Sequence, residues 1–126
     1  MLSINAMVAA DTFIIPTPPE YLALEGLVGF MEAVQKVQEA IGNQCRLLGI
    51  LLTKIDHRRK VTEEIIQLIR GHYRDQVFRT EIKVDVRLIE APSFGKTIFQ
   101  YDRRSSGAER YLQLAGEILK KGKVGP

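Results

Sequence analysis

Residues able to do chemistry crowd most closely in Arg87-Leu88-Ile89-Glu90-Ala91-Pro92-Ser93-Phe94-Gly95-Lys96. The stretch is polar, broken by a proline and a glycine, and it separates an apolar run from an amphipathic one. That pattern predicts a long ordered loop, and such loops in compact domains more often bind or react than merely connect. A second polar stretch, Thr53 to Lys60, follows another apolar run and sets Lys54, Arg58, Arg59 and Lys60 beside Asp56. The charge of the whole chain is skewed in the same direction. Residues 1–45 hold five acids and one base, whereas residues 46–126 hold 17 bases and 10 acids. The skew points to a surface that meets an anionic partner, or else to a solvated basic face.

Other chemistries find no support in the sequence. No G-x-x-x-x-G-K-[ST] loop is present to cradle phosphates or place a hydroxyl on Mg²⁺. No Cys/His cluster has metal-ligand spacing. His57 and His72 are isolated, and Ser93, Ser105 and Ser106 lack His/Asp partners for nucleophilic catalysis. Cys45 is the single cysteine, so no internal disulfide forms, and it reads as a buried inert thiol. No apolar run reaches the roughly 18 residues needed to cross a bilayer. No signal peptide is evident.

The elements that must position these residues follow from periodicity. Residues 3–10 read as the tail of a helix. Thr12–Pro16 and Leu47–Leu52 are short apolar runs suited to strands buried on both faces of a parallel sheet, and Val77–Ile82 reads as a third. Prolines 16, 18 and 19 end the first strand. Leu24, Leu27, Val28, Met31, Val34, Val37 and Ile41 recur at helical spacing, with Gly42-Asn43 as the stop. Thr62 can cap a helix whose Ile65, Ile66, Leu68 and Ile69 face the core. Ser106-x-x-Glu109 has the form of a capping box before a last helix with Ala108, Tyr111, Leu112, Ala115, Ile118 and Leu119 on its apolar face. Lys120 and Lys121 sit at its negative end, and residues 122–126 read as a flexible tail. The expected fold is α/β: one domain over residues 1–126, with a three-layer parallel sheet and helices on both faces. Ligands of such sheets sit beyond the carboxyl ends of the strands, here Pro16–Glu20, Thr53–Arg58 and Lys83–Ser93.

V-R-L-x-E-A-P-S-x-G-K over residues 86–96, followed by Y-D-x-x-S-x-G-A-x-x-Y over residues 101–111, resembles the C-terminal part of ParA/Soj-type partitioning ATPases, in the deviant-Walker P-loop class with MinD. Ala9-Ala10-Asp11, Pro16, Glu20-Tyr21 and Ala23-Leu24-Glu25-Gly26-Leu27 are similar to the family segment just after its second Walker motif. The resemblance therefore implies the C-terminal half of a P-loop NTPase fold, with the phosphate loop and Mg²⁺-binding acids in an N-terminal half. It implies ATP and Mg²⁺ as cofactors of the intact parent, none bound tightly by this chain, and no catalytic or metal-binding residues within it. The chain alone is then not expected to hydrolyse ATP.

Thr53-Lys54-Ile55-Asp56 resembles the T-K-x-D base-reading motif of the wider P-loop class, so Thr53, Lys54 and Asp56 would lie by adenine or simply end a strand. Ala91, Pro92 and Ser93 would form the other adenine wall, offering backbone groups and a proline face, or would be a rigid turn. Arg58 and Arg87 match arginines implicated in sequence-nonspecific DNA binding by an ATP-bound homodimer. Arginine forks pair with phosphate oxygens, and counterion release supplies affinity without reading bases. Lys96, with Arg59, Lys60 and Lys83, would enlarge the patch.

Departures from the pattern include Lys83-Val84-Asp85 for Pro-Arg-Asn and Ile89 for a small polar residue. Asp85 is expected to weaken DNA contact by its charge beside Arg87. The implied partners are DNA and a ParB-like centromere-binding protein, with no membrane and a cytoplasmic, nucleoid-associated location. Two other readings compete. One is a MinD-like membrane-associated cell-division regulator, disfavoured because Lys123-Val124-Gly125-Pro126 is too short for a further amphipathic helix. The other is a non-enzymatic remnant that only binds DNA or itself.

Overall fold

A computed structural model of the chain describes residues 9–42 and 45–124, with side chains to residue 121. The expected helix tail at residues 3–10 lies almost wholly outside the described residues. The element order is β1 (Thr12–Thr17), α1 (Tyr21–Ile41), β2 (Arg46–Leu52), α2 (Lys60–Tyr73), a 3-10 turn (Arg74–Gln76), α3 (Val86–Ser93), α4 (Ile98–Tyr101) and α5 (Ser106–Val124). The class is α/β with a parallel sheet, as the alternation of apolar runs and amphipathic segments predicts. β1 pairs with β2 in parallel from Thr12↔Arg46 to Thr17↔Leu52. Pro16 lies inside β1 rather than ending it. The strand tolerates a proline because it is an edge: among the described residues it pairs with β2 alone, and the missing N–H is not required by the ladder.

The third expected strand, Val77–Ile82, is reduced to isolated parallel bridges, Ile50↔Val77 and Ile55↔Lys83. The Phe78 and Ile82 N–H groups still donate to the Ile50 and Leu52 carbonyls, each at 2.9 Å. Between them the ladder breaks because a helix competes for the backbone. Glu117 of α5 accepts from Arg79 N–H at 2.7 Å, Thr80 N–H at 2.9 Å and Thr80 Oγ1 at 2.7 Å. Strand pairing is traded for a carboxylate filled by three donors.

Side chains alternate along β2, so they enter two apolar clusters on opposite faces. Ile50 and Leu52 pack with Leu27, Ile65 and Ile69 from α1 and α2. Leu51 packs with Phe78, Ile82 and Leu114, joined by Ile14 and Ile118. Helices thus lie against both faces of a sheet that has two full strands, not three. α1 stops at Gly42, whose φ of 83° is left-handed and whose N–H bonds to the Gln38 carbonyl.

Several local readings are corrected. Thr62 does not cap α2; the helix begins at Lys60, and Thr62 is buried within the first turn. Leu68 faces solvent, one residue out of phase with Ile65, Ile66 and Ile69, which are buried. The cap of α5 is Ser105, not Ser106: its Oγ accepts from Ala108 N–H at 3.1 Å and donates to the Asp102 carbonyl. A reciprocal capping box occurs instead at Thr97 and Gln100 of α4. α5 continues through residues 122–124, which the sequence assigns to a tail; Gly122 does not break it. Its buried face runs through Ala108, Leu114 and Ile118, whereas Tyr111, Leu112 and Leu119 are exposed, the last two at 66%.

That exposed stripe and the open side of β1 are surfaces of the kind that template association. The isolated chain is expected to self-associate with rising concentration in sedimentation velocity runs. A well-folded monomer at high concentration would show that the β1 edge is covered.

Candidate phosphate- and base-binding edge

Some of the residues singled out in the sequence lie near the end of β2. Ile55 N–H donates to the Ile82 carbonyl at 3.1 Å, and Val84 N–H donates to the Ile55 carbonyl at 2.9 Å. These bonds set the Thr53–Lys60 loop beside the entry to α3. Arg58 and Arg87 therefore leave one end of the sheet from adjoining segments.

Arg87-to-Lys96 is not a loop. Residues 86–93 form α3, and Pro92 sits in its last turn, where a missing N–H and a ring that fits no further turn end the helix. The Ala91 carbonyl accepts from Phe94 and Lys96 N–H, and the Pro92 carbonyl from Gly95 N–H. The Ala91 carbonyl is thus filled by two donors and the Pro92 carbonyl takes one. Ala91 and Pro92 instead line an apolar groove of about 660 Å³ between α3, α4 and α5, with Leu88, Phe99, Leu112 and Ile118, and Lys96 at its margin. Ser93, Thr53, Lys54 and Asp56 do not line this groove, and no hydrogen bond among the described residues joins 53–56 to 91–93. Phe94 stacks on Tyr101 at 5.4 Å, and the Tyr101 hydroxyl donates to Glu90, a contact that raises the phenol pKa above its ordinary value.

α3 forms because Asp85 starts it. The Asp85 carboxylate is only 6% exposed. One oxygen accepts from Arg87 N–H at 3.0 Å and the other from Gly107 N–H at 2.8 Å. A single carboxylate thus caps α3 and meets the first turn of α5, where two helix dipoles favour negative charge. Gly107 makes the approach possible, since a Cβ there would lie 2.6 Å from Leu88 Cγ. Asp85 does lie beside Arg87, with Oδ1 3.8 Å from its guanidinium, while the shorter contacts of its carboxylate are to two backbones. The partner of Arg87 is Asp102, whose Oδ2 forms an ion pair with Arg87 Nε at 2.6 Å. Nothing in the sequence marks that pairing, because it depends on how α4 folds back.

Asp56 is engaged in the same way. Its Oδ1 and Oδ2 accept from Arg58 Nε and NH2, each at 2.9 Å, and Oδ1 also accepts from Arg58 N–H. The Arg58 side-chain bond, then its backbone bond, hold the Asp56 pKa down to about 2. Lys54 adopts a φ of 54°, turning the chain sharply away from β2. His57, isolated in the sequence, lies between Glu63 and Glu81, and Arg70 donates to the other Glu81 oxygen at 2.9 Å. The 56–60 loop is thereby tied to α2. Arg58 and Arg87 remain 90% and 56% exposed despite their partners. Among the described residues, no group of three or more His, Cys, Asp or Glu could hold a metal. No described helix is long and apolar enough to cross a membrane.

A family model described as an AAA domain matches residues 1–47. The chain is 43% identical over 122 residues to the sporulation initiation inhibitor protein Soj of Bacillus subtilis, covering 97% of this chain and 48% of that protein. It is 40% identical to the chromosome partitioning protein ParA of Myxococcus xanthus over 96% of this chain and 43% of the relative. It is 42% identical to the chromosome-partitioning ATPase Soj of Thermus thermophilus over 94% of this chain and 47% of the relative. The chain spans about half the length of the relatives it matches.

Two outcomes follow from the geometry. Asp85→Ala should cost about 2 kcal/mol in urea unfolding, since it removes a cap and leaves a second N–H unpaired. A loss within ~0.5 kcal/mol would mean that water replaces the carboxylate. Carboxyl NMR should show Asp56 titrating near 2, and Arg58→Ala should move it up toward 3.8. Because the folded value is depressed, the contribution of this pair is present above the ordinary aspartate range and lost as pH falls through about 2.

Proposed function

Since this chain is of the ParA/Soj partitioning type, related to those proteins along nearly its whole length, we propose that it serves as the C-terminal portion of a partitioning ATPase and supplies a sequence-nonspecific DNA-binding edge. The observation that carries this reading is the placement of Arg58 and Arg87 at one end of the sheet, both exposed and both held by carboxylates at the surface. Exposed ion pairs of this kind contribute little to stability, so a phosphate oxygen can replace the carboxylate at small cost. The guanidinium keeps its fork geometry throughout and needs no ordering when the phosphate arrives. No base-reading side chain is required, and affinity comes from counterion release. Lys83, Arg59 and Lys60 add charge beside Arg58, and Lys96 lies on the apolar groove.

A second part of the proposal concerns nucleotide. The apolar groove beside Ala91 and Pro92 suits the flat face of a purine, with Thr53, Lys54, Asp56 and Ser93 outside it. The groove residues suit a base, and among the described residues no group of three or more His, Cys, Asp or Glu would hold Mg²⁺. In the longer protein ATP would supply dimerisation energy, and a ParB-like partner would act on the dimer; these chain segments bind and orient. The MinD-like and remnant readings have no specific observation in their favour.

Arg58→Ala and Arg87→Ala should each weaken binding of the longer, ATP-loaded protein to DNA evenly across sequences and lower the salt slope by about 1. Unchanged slopes in both variants would reject the assignment.

A further inference from the structure

A second basic site lies on the flank of the sheet away from β1, outside the edge just described. A cavity of about 400 Å³ is lined by Arg70, Arg74, Asp75, Val77, Arg79, Glu117 and Lys121. Four cations from three elements converge there: Arg70 from α2, Arg74 and Arg79 from the segment after it, and Lys121 from α5. Two of the four are fixed in place. Lys121 Nζ donates to the Leu48 carbonyl at 3.3 Å and lies 4.3 Å from the centre of the Phe78 ring. Arg70 is held by Glu81 at 2.9 Å.

Glu117 and Asp75 also line the cavity, but among the described residues neither forms an ion pair with the other two cations. Glu117 is filled by the Arg79 and Thr80 N–H groups and Thr80 Oγ1. Burial pushes its pKa up, but those bonds together with the Lys121 charge outweigh it and the net shift is downward. Asp75 stands at the rim, exposed. Among the described residues neither Arg74 nor Arg79 forms an ion pair with a carboxylate.

The backbone adds an independent sign. Arg74 adopts φ 45°, ψ −112°, a conformation that glycine normally supplies at a tight turn. Strain of this kind persists only where the surroundings impose it, and it gathers at binding sites. Here it aims an arginine over a cavity with three other cations.

We propose that this cavity binds a phosphate group, with the Arg74 and Arg79 forks as its principal donors and Lys121 and Arg70 as fixed flanking charges. Planar guanidinium forks match phosphate oxygens, and a half-polar cavity of this size suits a compact anion rather than a large apolar ligand. The phosphate could belong to a free oligophosphate or to a nucleic-acid backbone, and two probes separate the sources.

The 126-residue chain is titrated with pyrophosphate and, separately, with a short DNA duplex, following backbone amide resonances of Arg74, Asp75 and Arg79. Arg74→Gly suits the positive φ and keeps the fold, so it separates charge from structure; Arg79→Gln is the second variant. Saturable shifts at these amides with pyrophosphate, weakened about tenfold in both variants, support a free-phosphate site. If the duplex moves the same amides and both variants lower its salt slope by about 1, the source is a phosphodiester chain. Equal affinity of wild type and both variants for both probes, or shifts centred elsewhere, overturn the proposal.

Discussion

Two helix N-termini converge on the Asp85 carboxylate, and the functional end of the molecule depends on that convergence. Arg87 N–H and Gly107 N–H arrive from segments 20 residues apart in the chain, yet bond to the two oxygens of one buried group. Once α3 is capped there, Arg87 lies in its first turn and faces Asp102. Pro92 ends the helix a turn and a half later, and its ring becomes a wall of the apolar groove. Without Asp85, residues 86–93 would have an uncapped start, a proline near the end and only Ala91 fully buried. Eight residues on those terms make a marginal helix.

The same economy recurs on the opposite flank. Glu117 takes two backbone N–H groups, those of Arg79 and Thr80, and the Thr80 hydroxyl, from the stretch where a third strand would have continued along β2. Both carboxylates join an element near the C-terminus to the stretch between residues 78 and 87. Helix α5 is therefore held to the sheet by polar contacts at two places as well as by Leu114 and Ile118, and this frees its Leu112–Leu119 side from the core. Two groups of basic residues stand on the resulting frame, one with Arg58 and Arg87 and one with Arg74 and Arg79.

Much of this architecture was legible in the sequence, and the limits have physical causes. The apolar runs gave β1 and β2, and helical spacing gave α1, α2 and α5, because burial imposes periods that survive any tertiary detail. The third strand failed because Glu117, 37 residues from Thr80, competes for its backbone. Residues 86–93 read as a loop because Pro92 and Gly95 dominate the local pattern, while the cap that forms a helix there lies in Asp85, which reads as a misplaced charge. Arg58 and Arg87 stood out through the resemblance to the ParA/Soj type rather than through any local pattern. Their partners were half visible: Asp56 lies two residues from Arg58, but Asp102 reaches Arg87 only through the fold of α4. The strained Arg74 carries no sequence signal at all, since a positive φ in a non-glycine residue is set by its neighbours.

The central claim is that the arginines of the basic edge are held by carboxylates that a phosphate replaces. Asp102→Asn tests it most directly, because asparagine can still accept from Arg104 N–H as Asp102 does at 3.1 Å, while the charge opposing phosphate at Arg87 is gone. Measured by fluorescence anisotropy with a duplex of arbitrary sequence, the variant should bind DNA more tightly than wild type at low salt. Weaker binding would contradict the account, showing that Asp102 orients Arg87 for its ligand instead of competing with it.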